Sequence, residues 1–331
     1  MAKDAILVTG CAGLIGSQMC RYILENYPEY EVVGVDNLSD GYASNVPDGV
    51  IACWRSVCDP LDDLFNRYNF KYVFHFAARA AESMSGFNRV YFHEQNIIGS
   101  ANVINNCINF KVNKIIFASS MSVYGDNPTP FSEDQTPNPI DPYGNGKYMV
   151  ELDLRAAYLQ HGLNYAIFRG HSIYGPGQSL WDKYRNVIGI WMKAALDGKP
   201  YTIYGDGLQK RAFTYIDDIL PALWLCATSD QANRQVYNFG NDHEVTLLEL
   251  LDVVKSVTGH TDTVHLPPIF EVHNAYCSHD KAKTELDLHC PTDLFAGVSK
   301  MWEWAKEQPE REVKIWDRFE VKEGLYDMWK R

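Results

Sequence analysis

Five short apolar runs punctuate the first half of the chain: "AILVT" (5–9), "EVVGVD" (31–36), "YVFHFA" (72–77), "KIIFAS" (114–119) and "NYAIFR" (164–169). Their apolar residues fall on successive rather than alternate positions and are often β-branched or aromatic, the pattern of a strand buried on both faces. The segments between them are long enough for crossover helices. The first such segment carries Leu14, Ile15, Met19, Ile23 and Leu24 on a helical period. Strands of this kind, joined by helices, predict an α/β fold with a doubly wound parallel sheet.

Beyond about residue 170 the pattern becomes irregular. "YGPGQ", "DGKPYTIYGDG" and "HLPPIF" read as loops around helices at roughly 183–197, 216–228 and 246–258. This half shows no pattern for an independent core, so it is expected as a smaller lobe packed on the first domain. The boundary falls near 171, giving units 1–171 and 172–331, with some strands of the second able to return to the first. A length of 331 residues, 46% hydrophobic, suffices for that arrangement.

A formal net charge of −12 without a basic run argues against nucleic acid or an anionic membrane as partner. The eight cysteines form no CxxC pair and lack the density of a secreted disulfide scaffold, so reduced thiols in a cytoplasm are expected, with no metal site. One short apolar run followed by a Gly-bearing polar loop makes the N-terminus neither signal peptide nor membrane anchor.

Directly after the first run comes "TGCAGLIGS" (9–17), which spaces Gly10, Gly13 and Gly16 between a strand and a helix. Glycines there allow a tight turn, approach of a pyrophosphate to backbone N–H groups, and close packing of helix on strand. The second run ends in Asp36, where a carboxylate can accept from an adenosine ribose and repel a 2′-phosphate, which favours NAD over NADP. Asp36 also opens "DNLSDG" (36–41), a use of Asp that turns alone would explain. Together the two features predict a Rossmann-type NAD site.

"DPYGNGKYMVE" (141–151) sets Tyr143 and Lys147 four residues apart, on one face of a helix. A phenol near an ammonium ionises more easily, so Lys147, helped by a positive nicotinamide, would make Tyr143 a general base at neutral pH. Gly144 and Gly146 beside the pair would leave room for cofactor and substrate. "FASSMSVYGD" (117–126) follows the fourth run, at the end of the sheet where ligands bind, and offers Ser119, Ser120 and Ser122 as hydroxyl donors.

With these motifs, "VFHFAA" (73–78), "NIIGSANVI" (96–104), "FRGHSIYGPGQ" (168–178) and "IYGDGLQKRAFTYIDDI" (203–219), the chain resembles the extended short-chain dehydrogenases/reductases of the nucleotide-sugar epimerase and dehydratase family. The resemblance implies that Tyr143 takes the sugar hydroxyl proton, that Lys147 binds the ribose and lowers the Tyr143 pKa, and that Ser120 holds the reacting oxygen. It places Leu14, Ile15, Asn37, Ser56, Val57, Phe76, Ala77 and Ala78 at the cofactor with the glycines and Asp36, and Arg211 at the substrate diphosphate. Three positions depart from the family's habit. Ser56, with Asp59 just beyond, stands where an Asp contacts adenine, Ser172 where an Asn contacts phosphates, and Pro268 or its neighbour where a second Arg does.

Related dehydratases carry an acidic pair after the catalytic hydroxyl, related decarboxylases a Glu, and 3,5-epimerases a Cys; this chain has Met121 and Ser122. The resemblance then implies 4-epimerisation of a UDP-hexose through a 4-keto sugar, with a 4-keto-sugar reductase or a silent NAD-binding module as alternatives. Ala275 falls where a bulky Tyr excludes N-acetylated sugars in some relatives, although a shift of one residue would put Tyr276 there. A homodimer through the helices carrying Tyr143 and residues 93–109 is implied too, using Ile97, Ile98, Val103 and Ile104.

Overall fold

The computed structural model describes residues 3–316 and 318–330. Seven parallel strands form the central sheet: β1 (Ala5–Thr9), β2 (Glu31–Asp36), β3 (Ile51–Trp54), β4 (Phe70–His75), β5 (Lys114–Ser120), β6 (Asn164–Gly170) and β7 (Gln235–Phe239). Their spatial order is β7-β6-β5-β4-β1-β2-β3, so the strand order reverses between β1 and β4, where such sheets open a ligand crevice at their carboxyl ends.

All five apolar runs are strands, and two strands escaped the pattern. β3, "IACW", is short, lies at the sheet's edge and is only partly buried, which removes the apolar continuity that marks the others. β7, "QVYNF", comes from beyond residue 171 and pairs in parallel with β6, from Gln235 opposite Ala166 to Phe239 opposite Gly170. β4 begins at Phe70 and ends at His75, two residues earlier than the run 72–77, because the chain leaves the sheet at Phe76 to border the crevice.

Alternate side chains of each strand fill two cores. Ile6, Val8, Phe74, Ile116 and Phe168 pack with Leu223 and Trp224 of the helix Ile216–Thr228. Ala5, Leu7, Val33, Val73, Ile115 and Ile167 pack with Val103, Ile104 and Leu154 on the other face. Each such side chain contributes about 1.5–3 kcal/mol on burial. Val103 and Ile104 are therefore core residues rather than interface residues.

The second half has a core of its own, contrary to expectation. Tyr174, Trp181, Trp191, Met192, Tyr201, Leu250, Val254, Val298 and Met301 cluster among the helices Val187–Leu196, Leu247–Thr258 and Leu294–Lys306. Of its aromatic residues, Tyr174, Trp181 and Tyr201 lie in loops and short strands, where no period reveals them. The first of these helices starts at Val187 rather than 183, since "DKYRN" forms a loop.

The C-terminal segment then runs back across the molecule. Lys314 donates its amide to Trp181 O (2.7 Å), Trp316 Nε1 donates to Asn88 Oδ1 (2.8 Å), and the Glu320 carboxylate accepts from the amides of Val90 and Tyr91. Trp329 rests on Phe87, Tyr184 and Phe319. Among the described residues no helix is long and apolar enough to cross a membrane. All eight cysteines are free thiols.

Candidate active site

One cavity of about 660 Å³ extends from the Gly-rich turn to the second lobe. At its cofactor end Gly10 adopts φ +73°, and a Cβ there would stand 2.8 Å from the Ala77 amide nitrogen. A side chain at Gly16 would strike the Gly10 carbonyl. The turn thus permits the approach of β1, β4 and the helix Leu14–Asn26, whose N-cap, Gly13, has no side chain to occupy the first free N–H groups. Such a helix start suits a pyrophosphate.

Asp36 Oδ2 accepts from Ala12 N (3.0 Å) and Oδ1 from Leu38 N (2.7 Å), which leaves a lone pair on each oxygen for ribose hydroxyls. Burial pushes its pKa up, and the two amide bonds oppose that shift. Leu14, Ile15, Asn37, Val57, Phe76, Ala77 and Ala78 line the same end. Ser56 does not belong with them. Arg55 and Val57 face the cavity, while the Ser56 hydroxyl accepts from Cys58 N (3.1 Å) and its amide donates to Asp59 (2.8 Å), closing the turn after β3. The donor set of this end fits a dinucleotide with a free 2′-hydroxyl.

Tyr143 and Lys147 lie on the helix Pro142–His161, capped by Asp141, whose side chain accepts from Gly144 N (2.9 Å), with Pro142 in the first turn. Gly144 leaves room for protein rather than for ligand. A Cβ there would sit 2.6 Å from the Ser122 carbonyl oxygen, so the glycine lets the helix press on the residues 121–124. Gly146 faces Ile97 at ordinary contact distance. This approach brings Tyr143 close to Ser120, whose hydroxyl pulls the phenol's pKa down.

All three candidate serines line the cavity and differ in their partners. Ser119 donates to Glu151, whose carboxylate is gripped by Arg169 at 2.7 and 3.0 Å, while Ser120 donates to Ser122 (3.0 Å) and Ser122 to Glu82 (3.0 Å).

Lys147 is buried, donates to Ala118 O (2.6 Å), and has Nζ 5.7 Å from the Tyr143 ring centroid. Burial raises the Tyr143 pKa well above its usual value, the charge of Glu82 adds to that, and the groups that pull it back are the Ser120 hydroxyl and Arg185. Burial lowers Lys147 itself to about 7, opposed by Glu151, so the ammonium is a weak source of help.

At the sugar end the cavity wall includes Ser172, Arg211 and Ala275. Ala275 is buried in the short strand Asn274–Ala275, in register with Lys210 and Arg211. Tyr276 instead gives its carbonyl to the Phe131 amide (2.9 Å). Pro268 stands between the lining residues Leu266 and Ile269. Arg211 is not an open fork: Nη1 donates to the carbonyls of Lys210 and His273, and Nη2 to Glu271 (2.8 Å) and the Val272 carbonyl (2.7 Å). It fastens the segment 271–274 to its neighbour.

Several residues at this end were missed by sequence reasoning. Glu82 enters the cavity and accepts from the Ser122 hydroxyl at 3.0 Å, so a carboxylate does stand beside the catalytic hydroxyls although positions 121 and 122 lack one. Its signal was a lone acid in "AAESMS", shortly after the carboxyl end of β4. Arg185 lines the cavity with a buried Nη1 that has no hydrogen-bond partner among the described residues. Arg79, held by both backbone hydrogen bonds to Asn96, pairs with Asp40 and lies 3.6 Å from Asp182. Met328 and Trp329 complete the wall.

His171, Cys277 and His279 are buried with potential ligand atoms within 4.8 Å of one another. The opposite ring nitrogens engage Ala275 O (2.7 Å) and Asp242 (3.2 Å), which ties the Ala275 strand to the loop after β6.

Residues 6–240 match the model of the NAD dependent epimerase/dehydratase family. The putative UDP-glucose 4-epimerase of Methanocaldococcus jannaschii is 31% identical over 306 residues, covering 91% of this chain and 98% of that one. The UDP-glucose 4-epimerase of Thermotoga maritima, solved with UDP-glucose, superimposes with a TM-score of 0.87 at 32% identity, covering 92% of this chain and 99% of that one. That of Thermus thermophilus, solved with NAD, gives 0.86 at 28% identity, with the same coverage of 92% and 99%.

Proposed function

The chain belongs to the NAD-dependent epimerase/dehydratase family, and on that premise we propose that it inverts C4 of a UDP-linked hexose through a transient 4-keto sugar. The observation that carries this reading is the placement of Ser120, Tyr143 and Lys147 in one cavity between the Gly-rich turn and the Ala275 wall. UDP linkage is taken from the Thermotoga relative, whose structure holds UDP-glucose.

When bound, NAD supplies the hydride acceptor and donor for C4. Gly10, Gly13 and Gly16 with Leu14 and Ile15 would hold its pyrophosphate, Asp36 the adenosine ribose, and Lys147 the nicotinamide ribose. Tyr143 removes and returns the 4-hydroxyl proton while Ser120 orients that oxygen. Arg185, with an unpaired buried nitrogen, is better placed than Arg211 to meet the diphosphate. Ala275 leaves space beside C2, which admits an N-acetyl group. In this division of labour residues 1–171 serve the cofactor and 172–331 the sugar nucleotide.

A homodimer is proposed through the outer faces of the helices at 89–109 and 142–161, where Ile98, Met149 and Leu152 are 60%, 52% and 47% exposed.

The deciding assay gives purified protein UDP-glucose and UDP-N-acetylglucosamine without added cofactor. Conversion to the 4-epimer is expected. Stoichiometric consumption of added NADH with a 4-keto sugar would make the chain a reductase, and neither activity would leave an NAD-binding module.

A further inference from the structure

Behind the wall that carries Ser172 and Ala275, two histidines leave bare nitrogens side by side. His171 Nε2 lies 2.7 Å from the Ala275 carbonyl oxygen, which can only accept, so that nitrogen holds the ring proton and Nδ1 holds a lone pair. His279 Nδ1 lies 3.2 Å from a carboxylate oxygen of Asp242, itself paired with Lys283, which fixes the proton there and leaves the lone pair on Nε2. His171 Nδ1 and His279 Nε2 have no hydrogen-bond partner among the described residues, and both side chains are fully buried. Burial also favours the neutral rings, pushing His171 down to about 3 and His279 below its usual value. Two buried acceptors without a donor are costly to keep.

Cys277 supplies a third atom. Its thiol is buried, and its sulfur and one ring nitrogen of each histidine all lie within 4.8 Å of one another. A single S–H can satisfy one nitrogen and leaves the other bare, whereas a cation satisfies both. A Cβ at Gly240 would stand 2.8 Å from His279 Nε2 and 3.0 Å from His171 Nδ1, so the glycine keeps a side chain out of the space beside both lone pairs. A neutral imidazole whose far N–H is spent on a carbonyl or a carboxylate is the form in which histidine binds a metal, and both rings are held in it. Two imidazoles with a thiolate are a donor set for zinc.

We propose that His171, Cys277 and His279 form a zinc site that braces the sugar end of the cavity from behind. On binding, the Cys277 S–H bond breaks, an S–Zn bond forms and the proton leaves to solvent. The occupied site carries one net positive charge, which Asp242 behind His279 and Glu133 near Cys277 offset. Ligands at about 2.0–2.3 Å stand roughly 3.3–3.6 Å apart in a tetrahedron, so the ion draws the widest pair together by about 1 Å, and a water takes the fourth position.

The ligands come from three separate places. His171 directly precedes Ser172 in the loop after β6, Cys277 is bridged to Phe131 two residues beyond Ala275, and His279 stands at the start of the helix Asp280–Leu286. Ser172, Phe131 and Ala275 line the cavity, while the three ligands do not. The ion therefore takes no part in the chemistry and sets where that wall stands.

The test uses the full chain, purified without a histidine tag, stripped by a chelator and titrated with zinc(II) against a chromophoric competitor. One zinc per chain is expected by elemental analysis after dialysis, with a higher Tm than the stripped protein. Cobalt(II) in its place should show a thiolate charge-transfer band and tetrahedral d–d bands. Cys277→Ser and His279→Gln should weaken zinc binding by more than about a hundredfold and abolish the rise in Tm, and Asp242→Asn, which loses only the support of His279, should weaken it by about 10–100-fold. Cys53→Ser, on β3, should change neither.

Wild type that takes up no zinc against the competitor would overturn the proposal. So would zinc affinity unchanged in Cys277→Ser, or in His279→Gln should the former not fold, since the ion would then sit elsewhere. Should neither variant fold, an octahedral cobalt spectrum of wild type without the thiolate band would do the same. None of these readouts needs a sugar, so their outcome is independent of the epimerase reading.

Discussion

The two ends of the cavity are built in opposite ways. At the cofactor end, Gly10, Gly13, Gly16 and Asp36 follow from β1 and β2, and their contacts are made largely by backbone: amide to carboxylate at Asp36, and Gly10 against the Ala77 peptide. At the other end, Glu82, Arg185, Arg211, Ala275 and Trp329 arrive on short helical turns, short strands and a loop that are far apart in sequence. Sheet register fixes the first end, so it constrains cofactor class. Loop choice fixes the second, so reaction and substrate reside there.

The sharpest way to break this contrast is Tyr143→Phe, which lies where the ends meet. Turnover should fall by at least about a hundredfold with NAD binding and folding intact. Near wild-type kcat with normal NAD content would remove Tyr143 from the chemistry. Next in size is Ala275→Tyr, which should reduce kcat/KM for UDP-N-acetylglucosamine relative to UDP-glucose by about 1–3 kcal/mol, the usual worth of filling an apolar pocket. An unchanged ratio would mean that Ala275 does not face C2.

Two smaller effects probe the backbone side. Gly144→Ala must push the helix from the Ser122 carbonyl and should cost about 1–3 kcal/mol. Gly146→Ala meets only ordinary contacts and should gain up to about 1 kcal/mol from helix propensity. Calorimetric Tm values of opposite sign would establish the close approach, and shifts of the same sign would refute it. Asp36→Ala should narrow the preference for NAD over NADP by about tenfold, through loss of a charge facing the 2′ position. Measured dissociation constants for both cofactors decide it, and equal wild-type affinities would remove the assignment.

The same contrast explains what could be read from the chain. The motif "TGCAGLIGS" carries its meaning in its spacing because strand, turn and helix are adjacent in sequence, and Tyr143 with Lys147 are adjacent through one helical turn. Glu82 and Ser122 are 40 residues apart and become neighbours only through the parallel order of β4 and β5. No local pattern announces that. Ser56 failed for the opposite reason: neighbours in a turn face opposite ways, and a shift of one residue separates Val57 in the wall from Ser56 behind it. Arg211 lines the cavity, but its engagement by Glu271 depends on a loop 60 residues away.

The ion pairs of Arg79 bear on a question of timing. Asp40 follows β2, Asp182 precedes the helix Val187–Leu196, and Arg79 joins both from the loop after β4, linking the cofactor domain to the second lobe beside the cavity. If the bridge must open for an occupant to leave, Arg79→Ala should speed cofactor exchange, which stopped-flow displacement would read. Such a delay would weigh on a reductase, which discharges its spent nucleotide every cycle, and not on an epimerase, whose cofactor ends each cycle in its starting oxidation state.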